Sequence, residues 1–156
     1  MKNSDKIIII DFGSQYTKLI SRRIRETNVY SEIVSYKINI KKLKEPEVKG
    51  IILSGGPSSV YSDKSPKIEF DLNKIEVPIL GICYGMQLIV EQFNGEIKSK
   101  DVGEYGKSSI NIKNDSTLFD NISMRTNVWM SHGDQVTKID SNWEQIAFSE
   151  NNIIAG

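Results

Sequence analysis

The chain has 156 residues, of which 38% are apolar and 26% charged, proportions typical of one globular domain with a hydrophobic core rather than of a disordered chain. Twenty basic and twenty acidic side chains cancel, so no net charge attracts nucleic acid or an anionic membrane. A single cysteine excludes an internal disulfide framework, and no apolar run has the length of a signal peptide or membrane span. These features predict a cytoplasmic protein without nucleic-acid or membrane partners.

Short β-branched runs alternate with amphipathic stretches in the first half of the chain. Four consecutive isoleucines, residues 7–10, indicate a strand buried on both faces, as parallel strands are. Apolar residues at helical spacing follow, and they are Tyr16, Leu19, Ile20 and Ile24. Further strands are predicted at residues 32–36, 50–53 and 77–82, and a second helix carries Met86, Ile89, Val90 and Phe93. This alternation predicts an α/β fold: an open, mostly parallel twisted sheet with helices on both faces.

The pattern changes after Gly95. Short alternating segments are separated by Asn, Asp, Ser and Gly, which favours antiparallel strands and loops added to the sheet. These segments are residues 109–112, 128–130, 136–139 and 145–148. We see no interdomain linker, so one domain is predicted over residues 1–156. Residues 152–156 have the pattern of a strand cut off in progress, so this domain is predicted to be truncated at its C-terminus.

Cys83 lies in the segment Gly-Ile-Cys-Tyr-Gly, between a predicted strand and a predicted helix. A lone cysteine is more often a buried small hydrophobic residue than a nucleophile. Here Gly81 and Gly85 flank it, which is the pattern of a nucleophile elbow, a tight turn that presents the central side chain at the carboxyl edge of the sheet. A Cβ at either glycine is expected to collide with neighbouring backbone. The start of the helix is expected to favour the thiolate over the thiol.

Residues 54–59, Ser-Gly-Gly-Pro-Ser-Ser, follow the third predicted strand. Because Gly and Pro occur in most loops, a simple turn is one interpretation. The functional interpretation is a backbone amide directed at a developing oxyanion, with the amide of Tyr84 as its partner at the edge that carries Cys83. Phosphate binding is disfavoured, because no Lys-Ser/Thr pair completes a Walker motif.

His132 is the only histidine of the chain. An activated thiol needs a base, so a Cys83–His132 dyad is one interpretation. The other is a loop histidine that packs or binds through its polar atoms. We favour the loop histidine, because a family resemblance assigns the base elsewhere.

Several segments together resemble the class I glutamine amidotransferases, and most closely the glutaminase domains of GMP synthases. They are Asp-Phe-Gly-Ser-Gln-Tyr at 11–16, Gly-Ile-Ile-Leu-Ser-Gly-Gly-Pro at 50–57, the Cys83 elbow, Glu-Tyr-Gly at 104–106 and Val-Trp-Met-Ser-His-Gly-Asp at 128–134. The elbow belongs to the whole superfamily, whereas the surrounding sequences are specific to the GMP synthases. The resemblance implies a flavodoxin-like fold.

The resemblance also implies site residues. Cys83 would attack the side-chain amide of glutamine, release ammonia and form a glutamyl thioester that water hydrolyses. Gly56 and Tyr84 would supply the amides of the oxyanion hole. Gln87 would contact the polar end of the substrate, and the α-amino and carboxylate groups would be bound by Ser131, Gly133 and Asp134. His132 would then be a binding-loop residue rather than the base.

Three departures from the family pattern affect these expectations. The family places its catalytic histidine and glutamate in a later Phe-His-Pro-Glu segment, which this chain lacks. Gly103 replaces the arginine that usually precedes Glu-Tyr-Gly. The ATP-pyrophosphatase (synthetase) domain, which uses ATP and Mg²⁺ to adenylate XMP, is absent, and through it the complete enzyme is expected to form a homodimer. No metal or cofactor is expected in the glutaminase domain itself.

We therefore expect a glutaminase domain of a purine-synthesising ligase, with little or no activity as an isolated chain. An alternative is a glutamine-binding or interaction module that lacks the base by design. Another is a different cysteine hydrolase on a similar α/β scaffold, since elbows serve many chemistries.

Overall fold

The computed structural model describes residues 5–113 and 116–156, except for the side chains of residues 100–104. The predicted departure at Gly103 therefore falls outside the described residues. The chain divides into two compact units, Met1–Gln92 and Phe93–Gly156. No helix in the described part of the chain is long and apolar enough to cross a membrane.

A parallel sheet with four strands forms the centre of the first unit, as predicted. Its strands are β1 (Lys6–Asp11), β2 (Tyr30–Ser35), β3 (Val48–Leu53) and β4 (Ile79–Gly81), in the order β2-β1-β3-β4. The helices of this unit are α1 (Thr17–Glu26), α2 (Ile40–Leu43) and α3 (Tyr84–Gln92), and Leu72–Lys74 forms a 3₁₀ turn.

β1 lies between two other strands because its isoleucines can be buried on both faces of the sheet. Ile8, Ile9 and Ile10 have no exposed surface. The register pairs Ile10 with Leu53 and Leu53 with Gly81, so the carboxyl ends of β1, β3 and β4 lie together. The segments that follow these three strands therefore meet at one edge of the sheet, where ligands bind in open α/β sheets.

α1 forms where helical spacing predicts it, but its most buried residues are small and polar. Thr17 and Ser21 are buried, whereas Tyr16 is 55% and Leu19 45% exposed. The hydroxyl oxygens of Ser21 and Ser31 lie 2.9 Å apart. Small hydroxyl side chains let the helix approach β2 closely, and they satisfy each other when buried. The apolar residues that predict the helix are therefore not the residues that it buries most.

The second unit contains the predicted antiparallel strands, but they form a sheet of their own rather than an addition to the parallel sheet. Its strands are β5 (Glu96–Ile112), β6 (Arg125–Lys138) and β7 (Ala147–Ser149), in the order β6-β5-β7, and Thr117–Phe119 is a 3₁₀ turn. Its core contains Ile110, Ile112 and Ala147, with Phe119, Val128, Met130 and Ala155 packed against them. Within 152–156, the predicted strand is reduced to one antiparallel bridge between Phe148 and Ile154.

Candidate active site

Cys83 lies between the last residue of β4, Gly81, and the first residue of α3, Tyr84, with only Ile82 beside it. Its backbone has a φ of +50°, in the left-handed region that costs a non-glycine residue roughly 1–2 kcal/mol. Such strain persists only where the surrounding structure fixes it, and it is concentrated at functional sites. The strand–turn–helix geometry predicted for a nucleophile elbow is therefore present.

Gly81 and Gly85 permit this turn because neither position has room for a side chain. A Cβ on Gly81 would lie 2.5 Å from the amide nitrogen of Met86, and one on Gly85 would lie 2.2 Å from the carbonyl oxygen of Leu53. Both distances involve backbone atoms, which cannot rotate away as a side chain can. The predicted steric reason for the two glycines is confirmed.

Contacts with neighbouring segments fix the start of α3, which directly follows Cys83. The amide of Gly85 donates to the carbonyl oxygen of Ser54 at 3.1 Å. The side chain of Tyr84 is buried, and its hydroxyl donates to the carbonyl oxygen of Pro66 at 2.8 Å. Its ring packs against Phe12 with the ring centroids 5.4 Å apart. These contacts hold the amide of Tyr84 next to Cys83 in a defined orientation.

The loop at 54–59 is held against the end of β1 by Ser54 and Phe12. The Ser54 hydroxyl oxygen accepts a hydrogen bond from the amide of Phe12 at 3.1 Å and donates to the carbonyl oxygen of Gly55 at 2.8 Å. A Cβ on Gly56 would lie 2.7 Å from the Phe12 carbonyl oxygen, and a Cβ on Gly55 would lie 3.6 Å from the Cβ of Cys83. The loop therefore approaches Cys83 at Gly55, which has no side chain to separate the two backbones.

The amides of Gly56 and Tyr84 are the predicted oxyanion donors. Within residues 5–113 and 116–156, no backbone hydrogen bond engages either of them. Gln87 lies one helical turn after Cys83 and is buried. Its backbone amide donates to the Cys83 carbonyl oxygen at 3.1 Å. The first unit thus gathers all of its predicted site residues around the elbow.

Burial raises the pKa of the Cys83 thiol above its ordinary value. The charge of a thiolate is costly to remove from water, whereas a helix start attracts it by only about 0.3–1 kcal/mol. The predicted preference of Cys83 for the thiolate is therefore wrong in the surroundings that the first unit provides. A nearby cation or base is needed to deprotonate the sulfur at neutral pH.

The remaining predicted site residues, Ser131, His132, Gly133 and Asp134, follow one another in β6. The expectation that His132 lies in a loop is wrong, since its backbone pairs with Glu104 of β5. Its neighbour Ser131 pairs with Tyr105, and adjacent strand residues point to opposite faces of a sheet. The side chains of Ser131 and His132 therefore point to opposite faces of the sheet.

Sequence reasoning missed Tyr105 as a neighbour of this segment. A Cβ on Gly133 would lie 3.2 Å from the Tyr105 hydroxyl oxygen, although 71% of Tyr105 is exposed. The signal that could have revealed this contact is the alternation of side chains along two long strands that pair with each other. In the described part of the chain, no group of three or more His, Cys, Asp or Glu side chains is placed to hold a metal ion.

Parallel strands, an elbow cysteine and a glycine loop at one sheet edge define a class of α/β enzymes that use a thiol nucleophile. The glutamine amidotransferase class-I family matches residues 8–156, and this chain belongs to that family.

Relatives within that family include GMP synthases. The GMP synthase [glutamine-hydrolyzing] of Trichormus variabilis is 54% identical over 145 residues, 93% of this chain and 27% of that protein. The one from Brachyspira hyodysenteriae is 50% identical over 153 residues, 98% of this chain and 30% of that protein. The crystal structure of a candidate GMP synthase subunit from Thermoplasma acidophilum has a TM-score of 0.80 at 27% identity, covering 97% of this chain and 76% of that one. The chain thus resembles the N-terminal glutaminase part of GMP synthases and spans less than a third of the length of the full synthases.

Proposed function

We propose that this chain is the glutaminase part of a GMP synthase, which hydrolyses L-glutamine through Cys83 and supplies ammonia for the amination of XMP to GMP. The observation that carries the proposal is the left-handed backbone of Cys83 between Gly81 and Gly85, neither of which has room for a Cβ. A buried apolar cysteine needs no such strained turn, whereas a nucleophile presented at a sheet edge does.

In the proposed reaction, the Cys83 sulfur attacks the side-chain carbonyl carbon of glutamine. Negative charge develops on the carbonyl oxygen, and the amides of Gly56 and Tyr84 donate to it. A donor of this kind typically contributes about 10²–10³ in rate. The carbon–nitrogen bond then breaks, and the nitrogen leaves as ammonia after taking up a proton. Water attacks the resulting thioester, the carbon–sulfur bond breaks, and glutamate leaves with the thiol restored.

Four residues are proposed to bind glutamine. Gln87 would contact the polar end of glutamine, which its position one turn after Cys83 supports. Ser131, Gly133 and Asp134 would bind the α-amino and carboxylate groups. Ser131 and Gly133 are two positions apart in β6 and so share one face of the strand, which supports their binding one ligand, whereas Asp134 would reach that ligand through its backbone.

The base is proposed to be a His-Glu pair outside these 156 residues. His132 is the only histidine, and it stands in a strand next to proposed binding residues. Since general base catalysis typically contributes ~10²–10⁴ in rate, the isolated chain should hydrolyse glutamine poorly. Robust ammonia release by the isolated chain that disappears in His132→Ala would contradict this assignment.

The ammonia is proposed to pass to an ATP-pyrophosphatase domain or subunit, which would bind ATP, Mg²⁺ and XMP. The relatives named GMP synthase [glutamine-hydrolyzing] support this place in purine nucleotide synthesis. Homodimerisation through that part, and a cytoplasmic location, remain predictions.

The test uses the complete synthase with Cys83→Ala. We expect the variant to lose glutamine-dependent GMP formation and to keep ammonia-dependent GMP formation, because only ammonia production needs the thiol. Retention of glutamine-dependent synthesis would reject the proposal. A diazoketone analogue of glutamine should also label Cys83, and excess glutamine should block the label. If glutamine gives no protection, Cys83 belongs to a hydrolase with another substrate.

A further inference from the structure

Tyr105 carries a large aromatic side chain on the outer face of the antiparallel sheet. Val128 and Met130 of β6 pack against the core of the second unit, and side chains alternate along a strand, so Ser131 and Gly133 point away from that core. Tyr105 pairs directly with Ser131, which places its side chain on the same outer face. Because 71% of Tyr105 is exposed, its side chain is open to a ligand that arrives from solvent.

The hydroxyl of Tyr105 reaches across to Gly133 on the neighbouring strand. Gly133 is the diagonal neighbour of Tyr105 in the register of β5 and β6, at a separation that an aromatic side chain can span. A Cβ on Gly133 would lie 3.2 Å from the Tyr105 hydroxyl oxygen. Because glycine has no side chain, the hydroxyl can lie directly beside the backbone of this residue. A ligand bound along Ser131 and Gly133 would therefore meet the Tyr105 hydroxyl.

The charge beside Tyr105 favours the α-carboxylate of glutamine over its α-ammonium group. Lys107 lies two positions after Tyr105 in β5, so it shares the outer face, and it is exposed. A lysine attracts a carboxylate and repels an ammonium group. A tyrosine hydroxyl can donate to a carboxylate oxygen, and such a charge-assisted hydrogen bond is stronger than one between neutral groups. The carboxylate is therefore the part of the substrate that we expect beside Tyr105.

We propose that Tyr105 is a further glutamine-binding residue, whose hydroxyl donates a hydrogen bond to the α-carboxylate of the substrate. This inference rests on the proposed function. A site built to bond a polar group of its substrate discriminates against analogues that lack the group, so Tyr105 would help to select glutamine among amides. The α-carboxylate is remote from the amide that reacts with Cys83, so the bond is made equally in the ground state and the transition state. Loss of such uniform binding raises KM and leaves kcat unchanged.

The test uses the complete synthase with Tyr105→Phe, which removes only the hydroxyl. The matched control is Tyr30→Phe, at an exposed tyrosine that pairs with Lys6 at the start of β1, the end of the strand opposite to the edge that carries Cys83. GMP formation is measured with L-glutamine, L-glutaminamide or ammonium as the nitrogen source. In L-glutaminamide a neutral amide replaces the α-carboxylate, so the proposed bond has no charged acceptor. Thermal melting reports folding.

We expect Tyr105→Phe to raise the KM for glutamine about tenfold or more, the effect of losing a hydrogen bond to a charged group, with kcat unchanged. The kcat/KM for L-glutaminamide, GMP formation from ammonium and the melting temperature should stay unchanged. Tyr30→Phe should match the wild type with all three nitrogen sources. The proposal is rejected if the KM for glutamine is unchanged in Tyr105→Phe. It is also rejected if kcat/KM falls equally for glutamine and L-glutaminamide, because the hydroxyl would then not act on the carboxylate.

If the wild type makes no GMP from L-glutaminamide, the kinetics with glutamine decide. A higher KM with unchanged kcat supports the proposal, and a lower kcat with unchanged KM rejects it. Cys83→Ala tests the proposed function separately. If Cys83→Ala abolishes glutamine-dependent synthesis while Tyr105→Phe behaves like the wild type, only the role of Tyr105 is rejected. If Cys83→Ala retains glutamine-dependent synthesis, the proposed function itself is rejected.

Discussion

The Ser54 hydroxyl oxygen accepts a hydrogen bond from the amide of Phe12 at 3.1 Å, across 42 positions of sequence. Both residues are buried, and the bond joins the segment after β1 to the loop after β3. Gly55 of that loop lies beside Cys83, so this one bond positions backbone at the candidate site.

Ser54→Ala should therefore destabilise the protein. The Phe12 amide would remain buried without its partner, which typically costs about 1–3 kcal/mol. Urea unfolding followed by circular dichroism measures the change in the free energy of unfolding. Ser62→Ala is the control, because Ser62 is exposed and surface substitutions usually change stability by less than about 0.5 kcal/mol. Equal midpoints for the two variants would show that the Ser54–Phe12 bond contributes little.

Alanine substitutions at Gly85 and Gly106 should separate the stability cost of a steric clash from that of a left-handed backbone. A Cβ on Gly85 would lie 2.2 Å from a backbone oxygen, whereas Gly106 has a φ of +97° and open space around it. Gly106→Ala should cost roughly 1–2 kcal/mol, the penalty of the left-handed region alone. Gly85→Ala should cost about 3 kcal/mol or more, because backbone must move. Thermal or urea unfolding of both variants measures the difference, and a Gly85→Ala protein as stable as Gly106→Ala would contradict the clash.

Glu32 should contribute a small part of the stability above the pH at which it titrates. Hydrogen bonding to Lys42, with Lys6 at 3.5 Å, holds the pKa of Glu32 below its usual value. A carboxyl whose pKa is lower in the folded state stabilises the fold above the unfolded pKa, and this is lost as the pH falls through the folded pKa. Because the pair with Lys42 is partly exposed, Glu32→Gln should cost at most about 1 kcal/mol at pH 7.

Urea unfolding of wild type and Glu32→Gln, at pH 7 and well below the ordinary glutamate pKa of about 4.3, measures this contribution. The difference between the two proteins should shrink at the acidic pH and in high salt. Glu69→Gln, at an exposed carboxylate, is the control. A difference that is independent of pH would show that the charge of Glu32 is not its cause.

Local patterns predicted the parts of the site that local geometry determines. The glycines around Cys83 were informative because an elbow is built from five consecutive residues, and the structure gives both of them the predicted steric reason. The Ser54–Phe12 bond was not predictable, because it depends on how two distant strands pair. His132 was predicted in a loop because its polar neighbours resemble a turn. The pairing of its backbone with β5 has no signature in the neighbouring sequence.

The buried side of α1 shows the same limit. Helical spacing identified the helix, but the choice of face depended on Ser21 meeting Ser31 of β2, a contact between small polar residues that hydrophobicity does not predict. Tyr16 and Leu19, which helped to identify the helix, are exposed.

The reactivity of Cys83 should depend on pH in a way that reports its surroundings. Burial raises the pKa of the thiol, and only the thiolate reacts with iodoacetamide. In the 156-residue chain, alkylation should therefore be slow at neutral pH and should increase to a midpoint above that of N-acetylcysteine, which serves as the unburied reference. Because Cys83 is the only cysteine, mass spectrometry of the intact chain measures its reaction alone.

In the complete synthase the midpoint should move to lower pH, since a base acting on Cys83 stabilises the thiolate. A midpoint below that of the reference in the short chain would show that the start of α3 outweighs burial, and an identical midpoint in both proteins would argue against a base supplied from outside these residues.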